Sequence, residues 1–240
     1  MSTVKICGLQ RPDTVRDILH LPIDYIGFLF AKSKRQVTPQ QAGAMLDVLA
    51  ERSRSGGRVP LTVGVFVNPQ PAELAAVMAE APLDVIQLHG QESPDFCRQV
   101  QEAYPRAKVW KVVSVTQTQV MKTDNDEAAL SAESPEQPAE AAVRALLEPY
   151  KGVVEAILLD THGGGSGKTF DWESIPPYRT WCREAGIRLL VAGGLQSDNV
   201  GELIEAYAPD GVDVSSGVET DGVKDVNKII SFVERVKRRV

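Results

Sequence analysis

Residues 3–10 read TVKICGLQ, and this stretch decides how the chain is read. Side chains alternate along an extended segment, so Val4 and Ile6 share one face while Lys5 and Cys7 share the other. The run leaves through Gly8 into CGLQRP. That exit lacks the Gly-rich turn that follows the first strand of an open, doubly wound nucleotide-binding sheet. Cys7 at such a strand end fits two readings. It is either a packed core thiol or a thiol held at the mouth of a barrel to move a proton.

Seven more apolar runs follow, at residues 25–30, 62–67, 85–89, 109–113, 156–160, 189–192 and 212–215. Helical signals lie between them. Thr38 is placed as an N-cap, with Pro39 at the first helical position and Gln41 closing a capping box. Ala42, Met45, Leu46 and Leu49 recur at i, i+3, i+4 and i+7, the spacing of one helix face. Ser93 and Pro94 repeat the same start. A last helix is expected from near Asp225, burying Val226, Ile229, Ile230 and Val233. Strand–helix alternation requires parallel strands, because each crossover needs a helix. Eight such units in 240 residues predict an α/β fold, a single (β/α)₈ TIM barrel spanning residues 1–240.

Composition narrows the function. A net charge of −6 argues against a nucleic-acid partner, which calls for a basic face. No apolar run approaches the roughly 20 residues of a membrane span, and the start has no basic-then-apolar leader pattern. The three cysteines, Cys7, Cys97 and Cys182, have no metal-ligand spacing, so no metal site is expected and a reducing cytoplasm is the expected location. A small anionic ligand remains compatible with the acidic balance, given helix N-termini and backbone N–H groups to receive it. One segment breaks the rhythm. Residues 122–139 are acidic and rich in Ser, Pro and Glu, with too little apolar content for a core of their own. They follow the fifth strand as a lid or as a solvated insertion.

Barrel strands are covered on both faces, so polar residues within them need a reason. Lys5 and Cys7 share a face of the first strand, and Gln87 and His89 share a face of the fourth. Lys111 stands among valines in the fifth, Asp160 ends the sixth, and Asp213 sits between valines in the eighth. Most lie near strand C-terminal ends, where barrel enzymes place their chemistry. Singly, each has an ordinary structural explanation; it is their convergence that points to a site.

The segment HGGGSGKTFDW resembles a P-loop but fails its spacing. The glycine required five residues before Gly167 is replaced by His162, and Pro176 and Pro177 leave no room for the long helix. ATP and GTP binding are rejected. The glycines, including Gly165 and Gly167, still expose backbone N–H groups. Two more glycine turns follow the seventh and eighth strands, in VAGGLQSDNV and VDVSSGVE. Barrels commonly hold phosphate at these two loops.

Taken together, VKICGLQ, SKRQVTP, VGVFVNP, IQLHGQE, LLDTHGGGSGKTFDW, VAGGLQSDNV and VDVSSGVET resemble the phosphoribosylanthranilate isomerase family of tryptophan biosynthesis. The matches are collinear from first strand to last helix, and only the 122–139 insertion departs from the pattern. The resemblance implies an Amadori rearrangement of a phosphosugar substrate, without cofactor or metal. It implies Cys7 as general base and Asp160 as general acid. Arg35 would hold the anthranilate carboxylate, to which a guanidinium is suited. His89 would wall the pocket, and Lys5 and Asp213 would line it. Gly165, Gly167, Gly193, Gly194, Ser215, Ser216 and Gly217 would receive the phosphate. A monomer is expected. A free thiol has a pKa of ~8.5 and a free Asp of ~3.9, so these roles need both groups shifted. Lys5 is expected to favour the thiolate, and burial and the phosphate charge to favour protonated Asp160.

Two rivals keep the same barrel. One is a histidine-pathway aminoaldose isomerase, disfavoured by a cysteine where that family pairs aspartates. The other is a phosphoribosyl-ligand sensor without turnover, opposed by the intact Cys7 and Asp160.

Overall fold

The computed structural model describes residues 2–115, 138–161 and 171–238. Eight parallel strands close into a barrel in chain order: β1 (Thr3–Cys7), β2 (Tyr25–Leu29), β3 (Leu61–Phe66), β4 (Val85–Leu88), β5 (Lys108–Val115), β6 (Ala156–Thr161), β7 (Arg188–Val191) and β8 (Gly211–Val214). Closure is made by β1 pairing β8, with Lys5 opposite Asp213. Helices cover the outside: α1 (Pro12–Ile18), α2 (Pro39–Arg54), α3 (Pro71–Glu80), α4 (Pro94–Ala103), α5 (Pro138–Leu147), α6 (Ile175–Ala185), α7 (Val200–Tyr207) and α8 (Val226–Lys237). A short antiparallel pair, β9 (Glu219–Thr220) and β10 (Val223–Lys224), follows β8. Among the described residues no helix is long and apolar enough to cross a membrane.

The helix starts follow their capping chemistry. Thr38 accepts from the Gln41 N–H while the Gln41 side chain accepts from the Thr38 N–H, and Pro39 follows at the first position. Ser93 caps α4 by accepting from the Phe96 N–H. The buried face of α2 is Ala42, Met45, Val48 and Leu49, with Leu46 only partly covered. In α8 the buried face is Ile229, Phe232, Val233 and Val236. Val226 and Ile230 are half-buried, so the helix is rotated toward its two later apolar residues.

Alternation divides the core into two layers. Tyr25, Val63, Val85, Trp110, Val112, Ala156, Leu158, Leu190 and Ala192 form the cluster inside the barrel. The intervening strand residues join the larger layer between strands and helices. Each such aliphatic side chain contributes about 1.5–3 kcal/mol when fully buried. At the N-terminal end of the barrel Arg188 donates to the Tyr25 hydroxyl and lies over the Tyr25 and Trp110 rings, 5.6 and 5.5 Å from their centroids. That plug fills the base of the barrel and leaves the C-terminal mouth for a ligand.

Lys111 does not face the interior. Its neighbours Trp110 and Val112 point in, so Lys111 points out toward the helices. There its ammonium meets Glu92 at 2.9 Å and donates to the Gly90 carbonyl at 2.8 Å. Glu92 in turn accepts from the Asn68 and Gly90 N–H groups. This buried pair fixes the loop that follows β4.

Candidate active site

A cavity of about 270 Å³ opens at the C-terminal mouth. Cys7, Arg35, His89, Asp160, Gly193, Gly194, Asp213, Ser215, Ser216 and Gly217 all line it, and Gln87 forms part of its wall. Residues spread over 210 positions of sequence therefore meet in one concavity, as the strand-end pattern requires. Gly165, Gly167 and most of the 122–139 insertion lie outside the described residues.

Cys7 ends β1 at 6% exposure. Room for its sulfur comes from Gly27, its register partner on β2, where a Cβ would stand 2.9 Å from Sγ. Gly8 has φ of 78°, a left-handed conformation that side chains resist. A Cβ there would also stand 2.6 Å from Cδ of Arg35. Gly8 thus turns the chain out of the strand and lets the Arg35 stem cross close above it.

Lys5 corrects its expected place on the cavity wall. It is fully buried beneath the cavity, because its ammonium turns to Asp213 Oδ2 at 2.8 Å. Burial lowers its pKa, but the charges of Asp213 and Cys7 outweigh that and hold it above the ordinary lysine value. The Cys7 thiol is pushed up, chiefly by burial; Lys5 pulls it down and Asp213 pushes it up again. The expected pull of Lys5 is present, but burial and Asp213 outweigh it, and the thiol is held neutral.

His89 Nε2 lies 3.4 Å from Asp160 Oδ2. Burial and the Lys5 and Lys111 charges lower the His89 pKa to about 4, against the opposing pull of Asp213 and Glu92. Near neutrality the imidazole is uncharged and acts beside Asp160 as a hydrogen-bonding group rather than a cation.

The two glycine turns meet at the other side of the mouth. Gly193 and Gly194 have φ of 86° and 63°. A Cβ on Gly217 would fall 1.8 Å from the Leu195 carbonyl oxygen, so only glycine lets the loops after β7 and β8 pack together. A short 3₁₀ turn, Ser216–Val218, begins in the second loop. Backbone N–H groups in such turns make concavities suited to an anion.

Glu219 and Lys224 escaped sequence reasoning. Glu219 accepts from Arg35 Nε at 2.6 Å and Nη2 at 2.8 Å, and Lys224 Nζ reaches the same carboxylate at 2.6 Å. Burial raises the Glu219 pKa, but the two cations more than reverse this. The Lys224 pKa is lowered, burial outweighing Glu219. Glu219 sits in the quoted motif VDVSSGVET, yet nothing local marks it, since its partner Arg35 is 184 positions away.

Similarity to known proteins runs along almost the whole chain. The family model described as N-(5′-phosphoribosyl)anthranilate (PRA) isomerase matches residues 4–131 and 132–235. The N-(5′-phosphoribosyl)anthranilate isomerase of Brevibacillus brevis is 44% identical over 241 residues, covering 99% of this chain and 94% of that protein. The crystal structure of the Thermotoga maritima phosphoribosyl anthranilate isomerase superposes with a TM-score of 0.72 at 35% identity, covering 99% of both chains. A further isomerase structure, solved in complex with reduced 1-(o-carboxyphenylamino)-1-deoxyribulose 5-phosphate, gives 0.70 at 32% identity, again over 99% of both. With fold and full-length similarity in agreement, the chain belongs to the N-(5′-phosphoribosyl)anthranilate isomerase family.

Proposed function

We propose that Asp160 and Cys7 are the acid and base of the family reaction, the aldose–ketose isomerisation of N-(5′-phosphoribosyl)anthranilate in tryptophan biosynthesis. The observation that carries this is that a thiol on β1 and a carboxyl on β6, separated by β7 and β8, line the same cavity.

In this reading the Asp160 carboxyl gives its proton to the furanose ring oxygen. The C1–O bond breaks with its electrons on oxygen, and the anthranilate nitrogen lone pair forms the iminium. The Cys7 thiolate then takes the C2 proton. The C2–H electrons become the C1=C2 bond, and the iminium π pair returns to nitrogen. The enolamine loses its hydroxyl proton and gains one at C1, leaving the ketone. The atoms are those of the substrate, so no external oxidant or reductant enters. A thiol held neutral at rest suits this order: once the ring has opened, the iminium cation and Lys5 favour the thiolate, the thiol proton leaves to solvent, and Cys7 can then take the C2 proton. His89 supports Asp160 from 3.4 Å. The glycine loops after β7 and β8 receive the phosphate, and Arg35 receives the anthranilate carboxylate. The site is built from one chain, which supports action as a monomer, and three free buried cysteines favour a reducing cytoplasm.

Loss of anthranilate-type fluorescence on mixing with substrate reads turnover directly. Cys7→Ser and Asp160→Asn should each lower kcat by 10²-fold or more, the usual worth of a positioned acid or base, with the thermal midpoint little changed. Wild-type turnover rates in either variant reject its role.

A further inference from the structure

Arg35 reaches the cavity from the loop after β2, and its side chain is 17% exposed. A long cation in such a loop has many rotamers to lose on binding. Here it has already lost them. Its stem crosses the bare Cα of Gly8, and its Nε and Nη2 form a two-pronged pairing with both oxygens of Glu219. The pairing leaves Nη1 and its two N–H donors outside it. Glu219 is itself held from behind by Lys224, whose ammonium also donates to the Ser215 carbonyl at 2.8 Å. The three side chains carry one net positive charge. Without the carboxylate the two cations would face each other and repel; burial already lowers the Lys224 pKa, and the Arg35 charge adds a smaller push in the same direction.

We propose that Glu219 is a positioning residue for the substrate's carboxylate end: it pre-orients Arg35 at the cavity wall, and Lys224 anchors it to the phosphate loop. This rests on the reading that Arg35 meets the anthranilate carboxylate. Arg35 lines the cavity and Glu219 does not, so the effect of Glu219 passes through Arg35. Pre-orientation removes an ordering cost from binding and leaves the chemical step alone.

Steady-state kinetics of Glu219→Gln, Arg35→Met and the double variant test this, alongside inhibition of each by inorganic phosphate. Glu219→Gln should raise KM about tenfold, equivalent to ~1.4 kcal/mol, with kcat within about threefold and phosphate inhibition within about twofold of wild type. Arg35→Met should raise KM at least as much. The double variant should be no worse than Arg35→Met, because a residue that acts through Arg35 has nothing left to lose. Glu219→Asp, which keeps the charge on a shorter arm, should recover part of the KM and serves as the test should Glu219→Gln fold poorly. Additive KM effects in the double variant, or a parallel loss of phosphate inhibition, overturn the proposal. A raised KM in Arg35→Met with none in Glu219→Gln overturns it while sparing the Arg35 reading. An unchanged KM in Arg35→Met overturns both.

Discussion

Replacing Lys5 with Met tests the charge beneath the cavity. Met fills nearly the same volume without the ammonium, so the change isolates electrostatics from packing. Lys5 is fully buried and stands 2.8 Å from an Asp213 side chain that is 9% exposed. Removing one partner of such a pair leaves the other charge buried and uncompensated, at a cost of about 3–5 kcal/mol. For a chain of this length each kcal/mol shifts the thermal midpoint by about 2–4 °C, so the variant should melt ~6–20 °C lower. The pH dependence has a definite sign. The folded pKa of Lys5 lies above its ordinary 10.5, so its contribution is fully present below that value and is lost only as pH rises through the folded pKa. The gap between wild type and variant should therefore stay flat between pH 6 and 8. Lys5 also pulls the Cys7 thiol down. Without it the thiol rises further, and the acidic limb of the kcat/KM profile should move to higher pH, since that limb reports the free enzyme's base. Differential scanning calorimetry and a pH–rate series read both effects. A variant with wild-type melting and an unmoved acidic limb refutes the charge pair and its coupling to Cys7 together.

Two further outcomes follow from geometry. His89, with a pKa lowered to about 4, should stay neutral down to about pH 5 in an NMR titration, its resonance identified by loss in His89→Gln. Because the unfolded imidazole titrates near 6.5 and the folded one near 4, stability should fall by roughly 3 kcal/mol as pH drops across that interval; a folded pKa of 6.5 contradicts the placement. Gly217→Ala should weaken phosphate inhibition at least tenfold, about 1.4 kcal/mol, because its methyl group would strike the Leu195 carbonyl oxygen and part the two loops. Undiminished inhibition would show that the loops do not hold the phosphate.

Much of the barrel was legible because its strands and crossovers are local patterns. All eight expected strands form, with ends shifted by one or two residues, and the Thr38 and Ser93 caps appear where their side-chain chemistry demands. The inward face was legible wherever two polar residues lay two apart, as for Lys5 with Cys7 and Gln87 with His89. It failed for Lys111, where a single polar residue among valines carries no phase; only the burial of Trp110 inside the barrel sets the strand's orientation. Lys5 was given the right face but the wrong depth, since a partner in β8 draws its ammonium below the cavity. Glu219 was missed because its meaning lies in a contact with Arg35 at the other end of the chain, and Lys224 because its meaning depends on Glu219. Gly27 was missed because what an absent side chain makes room for is set by its register neighbour, Cys7.

A crystal structure of this chain with reduced 1-(o-carboxyphenylamino)-1-deoxyribulose 5-phosphate is the most direct measurement. The sulfur of Cys7 and the carboxyl of Asp160 should flank the sugar carbons from opposite sides, with the phosphate against Gly193, Gly194 and Ser215–Gly217 and the carboxylate beside Arg35. A ligand that seats with its C1 and C2 out of reach of Cys7, or with the phosphate at Arg35, would contradict the assignment of acid and base.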